Sequence, residues 1–185
     1  MMTPTSHGPT SVAELHRPAE DDLDELHALY RDPRVWTHLP SGRHTEVRQT
    51  RRLLDGWRRS WEEHGLGQWI VRDAGSGMLL GHGGCAVRGE LLWNLGYRFA
   101  VAAQGRGLAS WVGRCGLEAA GEVDVSRAVV AYLLEHNRAS ARVAEKLGLS
   151  LQRRGPDAGN PDPEAVRLVY ADRTLDAEQL AAAMR

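Results

Sequence analysis

From Phe99 to Val112 the chain reads FAVAAQGRGLASWV. An apolar run stops, two glycines flank Arg106, and Leu108, Trp111 and Val112 then fall at helical spacing. The stretch is therefore a strand, a glycine turn and the start of a helix. Such a turn is an anion site in outline, because backbone N–H groups point outward at the positive end of a helix dipole and glycine leaves them open to the ligand. Each charge interaction there contributes about 0.3–1 kcal/mol, and up to about 2 kcal/mol where partly buried. A mononucleotide P-loop needs GxxxxGK[ST], and no Lys-Ser or Lys-Thr follows these glycines. A dinucleotide fingerprint needs a third glycine where Ser110 stands, and its ribose-binding acid belongs at the end of the next strand, whereas Asp124 precedes that strand. A third class, the pyrophosphate of coenzyme A, is left open by spacing, and the rest of the chain bears on it.

Upstream of the turn, GQWIVRD (67–73), MLLGHGGCAV (78–87) and LLWNLGYRFAV (91–101) are apolar segments separated by AGSG and RGE, the turn chemistry of successive antiparallel strands. Before them, SVAELHRP reads as a short strand and AEDDLDELHALYRD as a helix with acids in its first turn. A longer helix fits TEVRQTRRLLDGWRRSWEEHG, with Val47, Leu54 and Trp61 on one face and Arg48, Arg51, Arg52, Arg58 and Arg59 on the other. Arginine and tryptophan segregate there as in a packed amphipathic helix, not as in a nucleic-acid surface. Downstream, a helix is expected from about Arg106, and AVVAYLL (128–134) is apolar on both faces, which belongs in a sheet centre. NRASARVAEKLGL (137–149) is then a helix with Ala139, Val143, Ala144 and Leu147 inward and Gly148 ending it. The loop RGPDAGNPDP separates two last strands, SLQRR and EAVRLVYAD. Interleaved strands and helices imply an α+β (mixed α/β) fold with a central parallel pair.

At 185 residues, with 42% hydrophobic and 25% charged, the chain suits one core, so residues 11–185 are expected to form one domain behind a flexible tail at 1–10. A net charge of −1 gives no global pull toward nucleic acid or an anionic membrane. No run approaches a membrane span, and MMTPTSHGPTS lacks the pattern of a signal peptide, which implies a cytoplasmic, bacterial-type protein. Cys85 and Cys115 form neither a zinc set nor a disulfide framework and read as buried small hydrophobes. His38, His82 and His136 show no metal spacing, so no metal site is expected.

QGRGLA resembles the QxxGxA pyrophosphate loop of the GNAT superfamily of N-acetyltransferases, with Gln104, Gly107 and Ala109 on its fixed positions. GYRFAVAAQGRGLAS is similar to that family's strand-and-loop segment, and NRASARVAEKLGL to its late asparagine helix ending in Glu-Lys-Leu-Gly. The upstream segments resemble the branch containing ribosomal-protein N-terminal acetyltransferases, and the likeness runs from about Val12 to Tyr170. The resemblance implies a GNAT-type fold, a mostly antiparallel twisted sheet with a splayed parallel pair flanked by helices. It also implies acetyl-CoA as cosubstrate and acetyl transfer to a primary amine, either a protein N-terminus or a small molecule, by a monomer or homodimer. The pantetheine arm would pair with backbone near Phe99 and Val101. The amides of Gln104, Gly105, Arg106, Gly107, Leu108, Ala109 and Ser110 would take the pyrophosphate, with Asn137 on the pantetheine and Arg142 on a phosphate. Asn137 reads equally well as a helix N-cap.

The family transfers acetyl by direct attack, and a leaving thiolate with a pKa near about 8.5 needs only a modest proton donor. Relatives often place a tyrosine before Glu-Lys in the asparagine helix, where this chain has Ala144, so Ser140 becomes the implied donor. Relatives also carry Glu before the pre-loop strand's Ile-Gly-Tyr, where this chain has Asn94, leaving Glu90 as a base acting through water. Trp36, Trp69, Trp93 and Tyr97 fall in segments that could line the acceptor groove. The missing tyrosine and glutamate also suit a second reading, a degenerate acyl-CoA-binding sensor or scaffold.

Overall fold

Alternation along Leu92–Phe99 organises the sheet, since Trp93, Leu95 and Phe99 turn into one apolar layer while Asn94, Gly96 and Arg98 face the other way. The computed structural model describes residues 13–158 and 160–184. The expected tail at 1–10 and the first residues of the opening strand lie outside them. In chain order the elements are β1 (Ala13–His16), α1 (Leu23–Arg31), α2 (Val47–His64), β2 (Gln68–Asp73), β3 (Leu79–Arg88), β4 (Leu92–Phe99), α3 (Leu108–Asp124), β5 (Ala128–Leu134), α4 (Arg138–Lys146), β6 (Ser150–Pro156), β7 (Val166–Ala171) and α5 (Ala177–Met184). The strands form one seven-stranded sheet in the order β1-β2-β3-β4-β5-β7-β6. Every pairing is antiparallel except that of β4 with β5.

One sheet face packs on α3 and α4 through Trp69, Cys85, Trp93, Val112 and Ala144. The other packs on α1 and α2 through Leu26, Tyr30, Leu54, Trp57 and Ile70. Close approach on the first face depends on Gly83, where a Cβ would stand 2.5 Å from Val112 Cγ1. The arginine face of α2 is solvated, as expected, and Arg51 and Arg58 pair with Glu20. Its start is capped from the sequence itself, since the N–H groups of Thr45 and Glu46 donate to Gln49 Oε1 at 2.8 and 2.9 Å.

Four details depart from the sequence reading. β4 ends at Phe99, and Val101–Ala103 forms a 3-10 turn because Ala103 N–H bonds back to Ala100 O. α3 starts at Leu108, not Arg106, because Gly105 and Gly107 both hold left-handed φ values of 75° and 78°. In α4 the buried residues are Ala141 and Ala144, whereas Ala139 is exposed, a phase set by packing on Leu147 and α3. α5 was not foreseen, although Asp176 and Gln179 cap it reciprocally at 2.8 and 3.1 Å, a box legible as DAEQ.

Trp93 is fully buried where β4 first pairs with β5. Trp93→Ala is expected to cost about 3–5 kcal/mol, measured as a lower urea midpoint at unchanged slope.

Candidate active site

β4 and β5 stay together for only three residue pairs, Leu92–Asn94 against Ala128–Val130. Beyond Val130, β5 pairs with β7 as far as Leu134↔Arg167, while β4 continues on β3 to Phe99↔Gly81. From Leu95 onward one edge of β4 therefore has no strand beside it. Two cavities meet at this opening, of about 690 and 360 Å³. Five residues line both: His38, Tyr97, Arg98, Asn137 and Ser140.

The larger cavity opens on the glycine turn. Its wall includes Phe99, Gln104, Gly105, Gly107, Leu108, Ala109 and Ser110. The left-handed backbone at Gly105 and Gly107 is the conformation glycine allows cheaply, and a Cβ at Gly105 would meet nothing within 4 Å. Gln104 Nε2 donates to Phe99 O at 3.1 Å, so this side chain closes the turn on itself. Val101, Arg106 and Arg142 are exposed and absent from either wall.

At the junction, Ser140 N–H donates to Asn137 Oδ1 at 3.2 Å, which makes Asn137 the N-cap of α4 as well as a wall residue. Ser140 and Tyr97 line both cavities, and burial raises the Tyr97 pKa against the smaller, opposite effect of the Ser140 hydroxyl, so the phenol keeps its proton at neutral pH. His136 Nε2 donates to His38 O at 2.8 Å and ties the loop after α1 to the start of α4 across the cleft mouth. Burial, with the Arg98 and His136 charges, lowers the His38 pKa to about 4, so this imidazole is neutral near pH 7.

Behind the smaller cavity runs a buried polar chain. Gln68 Nε2 donates to Gly84 O at 2.6 Å, which leaves its Oε1 to accept from His82 Nδ1–H at 3.1 Å. The remaining ring nitrogen, Nε2, then accepts from the Tyr30 hydroxyl at 2.9 Å. Burial holds His82 neutral, far below the ordinary imidazole range, and pushes Tyr30 up to about 12. Arg98 lies over this group. Its guanidinium carbon is 3.4 Å from the Trp36 ring centroid and 5.6 Å from that of Tyr30, and Nη1 donates to Val35 O at 2.7 Å.

Several expected site residues are elsewhere. Trp36 is buried beneath Arg98 and Trp69 is core, its ring centroid 5.5 Å from that of Trp61. Neither reaches a cavity wall, because apolar surface of that size is best removed from water altogether. Glu90 occupies the β3–β4 hairpin at φ 60°, at the end of β4 opposite the cleft, so the structure does not bring it to Ser140. Ser140 and Tyr97, predicted separately, are brought together. Sequence reasoning missed Arg98, Tyr30 and Gln68, yet an arginine inside the apolar run WNLGYRF was a legible signal. Cys85 and Cys115 are buried in the core, as expected. Among the described residues no helix is long and apolar enough to cross a membrane.

The family model described as an acetyltransferase (GNAT) domain matches residues 13–150. The uncharacterized protein YkkB of Bacillus subtilis (strain 168) is 30% identical over 124 residues, 65% of this chain and 71% of that protein. The acetyltransferase from Agrobacterium tumefaciens str. C58 superposes with a TM-score of 0.71 at 26% identity, covering 89% of this chain and 92% of its own. The ribosomal L7/L12 alpha-N-protein acetyltransferase RimL, solved in complex with coenzyme A, superposes with a TM-score of 0.72 at 21% identity, over 91% and 97% of the two chains.

Neutral burial of His82 and His38 has a sign in stability. The unfolded chain takes up protons on these residues as pH falls through about 6.5 while the folded protein does not, so their contribution is complete above that pH and declines below it. Urea midpoints are expected to be level from about pH 7 to 8 and to fall from about pH 6.5 to 5. His82→Gln should flatten the fall, and an unchanged fall in that variant would contradict a neutral, buried His82.

Proposed function

The chain belongs to the GNAT acetyltransferase family, and on that premise we propose that it moves the acetyl group of acetyl-CoA directly onto a primary amine. In this reading residues 11–185 act as one acetyltransferase domain. The observation that carries it is the parting of β4 from β5 beside a glycine turn whose amides are open. The unpaired edge of β4 near Phe99 offers backbone N–H and C=O groups to the amides of the pantetheine arm, which takes the place of a strand. The amides from Gln104 to Ala109 receive the pyrophosphate, with Ser110 and Asn137 bordering the arm.

Acetyl-CoA supplies an activated thioester. As the amine nitrogen bonds the acetyl carbon and the carbon–sulfur bond breaks, the Ser140–Tyr97 pair donates a proton to sulfur. Both hydroxyls line the junction, and burial keeps the Tyr97 phenol protonated for this task. The nitrogen releases its proton to water, because burial and the Arg98 charge that keep His38 neutral also make it a poor proton acceptor. None of the five junction residues is a carboxylate, and Arg98 is a cation, so the site disfavours an ammonium ion. The acceptor therefore arrives neutral. An α-amine, with a pKa near about 8, is roughly a tenth neutral at pH 7, and a lysine near about 10.4 only about once in several thousand.

Thiol release from acetyl-CoA is expected to be faster with peptide α-amines than with the side chain of Nα-acetyl-lysine. Ser140→Ala should lower kcat on the order of 10²-fold with little change in KM for acetyl-CoA. Gly107→Glu, which puts a like charge and a strained side chain at φ 78°, should abolish CoA binding in calorimetry. CoA binding without release above hydrolysis for any amine would instead identify an acyl-CoA-binding module, the reading that Asn94 favours.

A further inference from the structure

Arg98 is a largely buried cation whose Nε has no hydrogen-bond partner. Its charge is offset only by neutral groups: the Val35 carbonyl and the rings of Tyr30 and Trp36. Among the described residues no carboxylate pairs with it. A buried charge lacking a counter-ion is strongly disfavoured, so this one needs an anion that the chain itself does not supply. Asp157, the one carboxylate on the smaller cavity's wall, is already paired with Arg167 at 2.5 Å. That cavity thus carries one uncompensated positive charge, above an apolar floor of Leu39, Leu53 and Trp57. The pleat puts Arg98 and Tyr97 on opposite faces of β4, so the guanidinium looks away from the face carrying Tyr97 and Phe99 and toward α1 and α2.

We infer that Arg98 is a specificity residue holding a carboxylate of the acceptor, whose class is a small amino acid-like amine with an apolar body and not a polyamine or an aminoglycoside. This rests on the acetyl-transfer reading for its amine, but the anion site can be tested without turnover. A guanidinium meets a carboxylate through charge-assisted, fork-shaped hydrogen bonds that a neutral amide cannot match. The cavity of about 360 Å³ is the size of a small-molecule site. A polycation has no free carboxylate on either wall to bind.

The probes are phenylacetate and phenylacetamide, of one shape and different charge, titrated into the CoA-saturated protein and read by tryptophan fluorescence, to which Trp36 beneath Arg98 contributes. Phenylacetate is expected to bind at least about tenfold tighter, the value of one charge-assisted hydrogen bond. Arg98→Gln should erase the difference and Arg98→Lys restore part of it, with CoA affinity unchanged in both. Equal binding of the two probes, or saturable binding of neither, overturns the inference. So does loss of phenylacetate binding when CoA is added, which would make Arg98 a counter-ion for the coenzyme. Should Arg98→Gln not fold, the wild-type comparison alone decides. A turnover arm separates the two readings: L-phenylalanine should outpace phenylalanine amide and spermidine in thiol release. A carboxylate preference without turnover on any amine sinks acetyl transfer and leaves the anion site standing.

Discussion

The structure depends on one strand having two claimants. β5 gives Val130–Leu134 to β7 and only Ala128–Val130 to β4, so the free edge of β4 is left inside the sheet. Unpaired backbone groups in such a place are unfavourable unless a ligand or water meets them. What keeps β4 from collapsing onto β5 is its other edge, bonded to β3 over its whole length. Glycines in β3 make that contact close: a Cβ at Gly81 would stand 2.3 Å from Arg98 O, and one at Gly83 would meet Val112 of α3. The gap is therefore held from behind by β3 and α3, and the glycine turn at its end inherits a fixed position.

Charge at the gap is as constrained as shape. Burial keeps His82 and Tyr30 neutral and His38 largely so, leaving Arg98 as the charge at the junction of the cavities. The Gln68–His82–Tyr30 chain matters because each member fixes the proton position of the next, and the Tyr30 ring it anchors lies beside the guanidinium that covers Trp36. None of the five residues shared by the two cavities is a carboxylate, so the field at their junction is positive.

Much of this was legible along the chain. Strand and helix alternation is a local property of period two or 3.6, and the meander, the long α2 and the turn after Phe99 could be read residue by residue. So could the serine of α4 that lines the junction, because its motif is contiguous. Placement that depends on distance or depth was not legible in the same way. Glu90 lies only two residues before β4, yet a strand of this length carries it away from the cleft. Trp36 and Trp69 are as suited to a groove as to a core, and only their packing against Arg98 and Trp61 puts them in the core.

The sequence by itself determined the order of elements and the glycine turn, because propensity, alternation and left-handed glycines act over a few residues. Tertiary structure alone decided that Tyr97 meets Ser140, that His38 meets His136 across the cleft, and that Arg98 is buried without an acid. Those pairings join residues far apart in the chain, and desolvation, unlike periodicity, is a property of everything packed around a group.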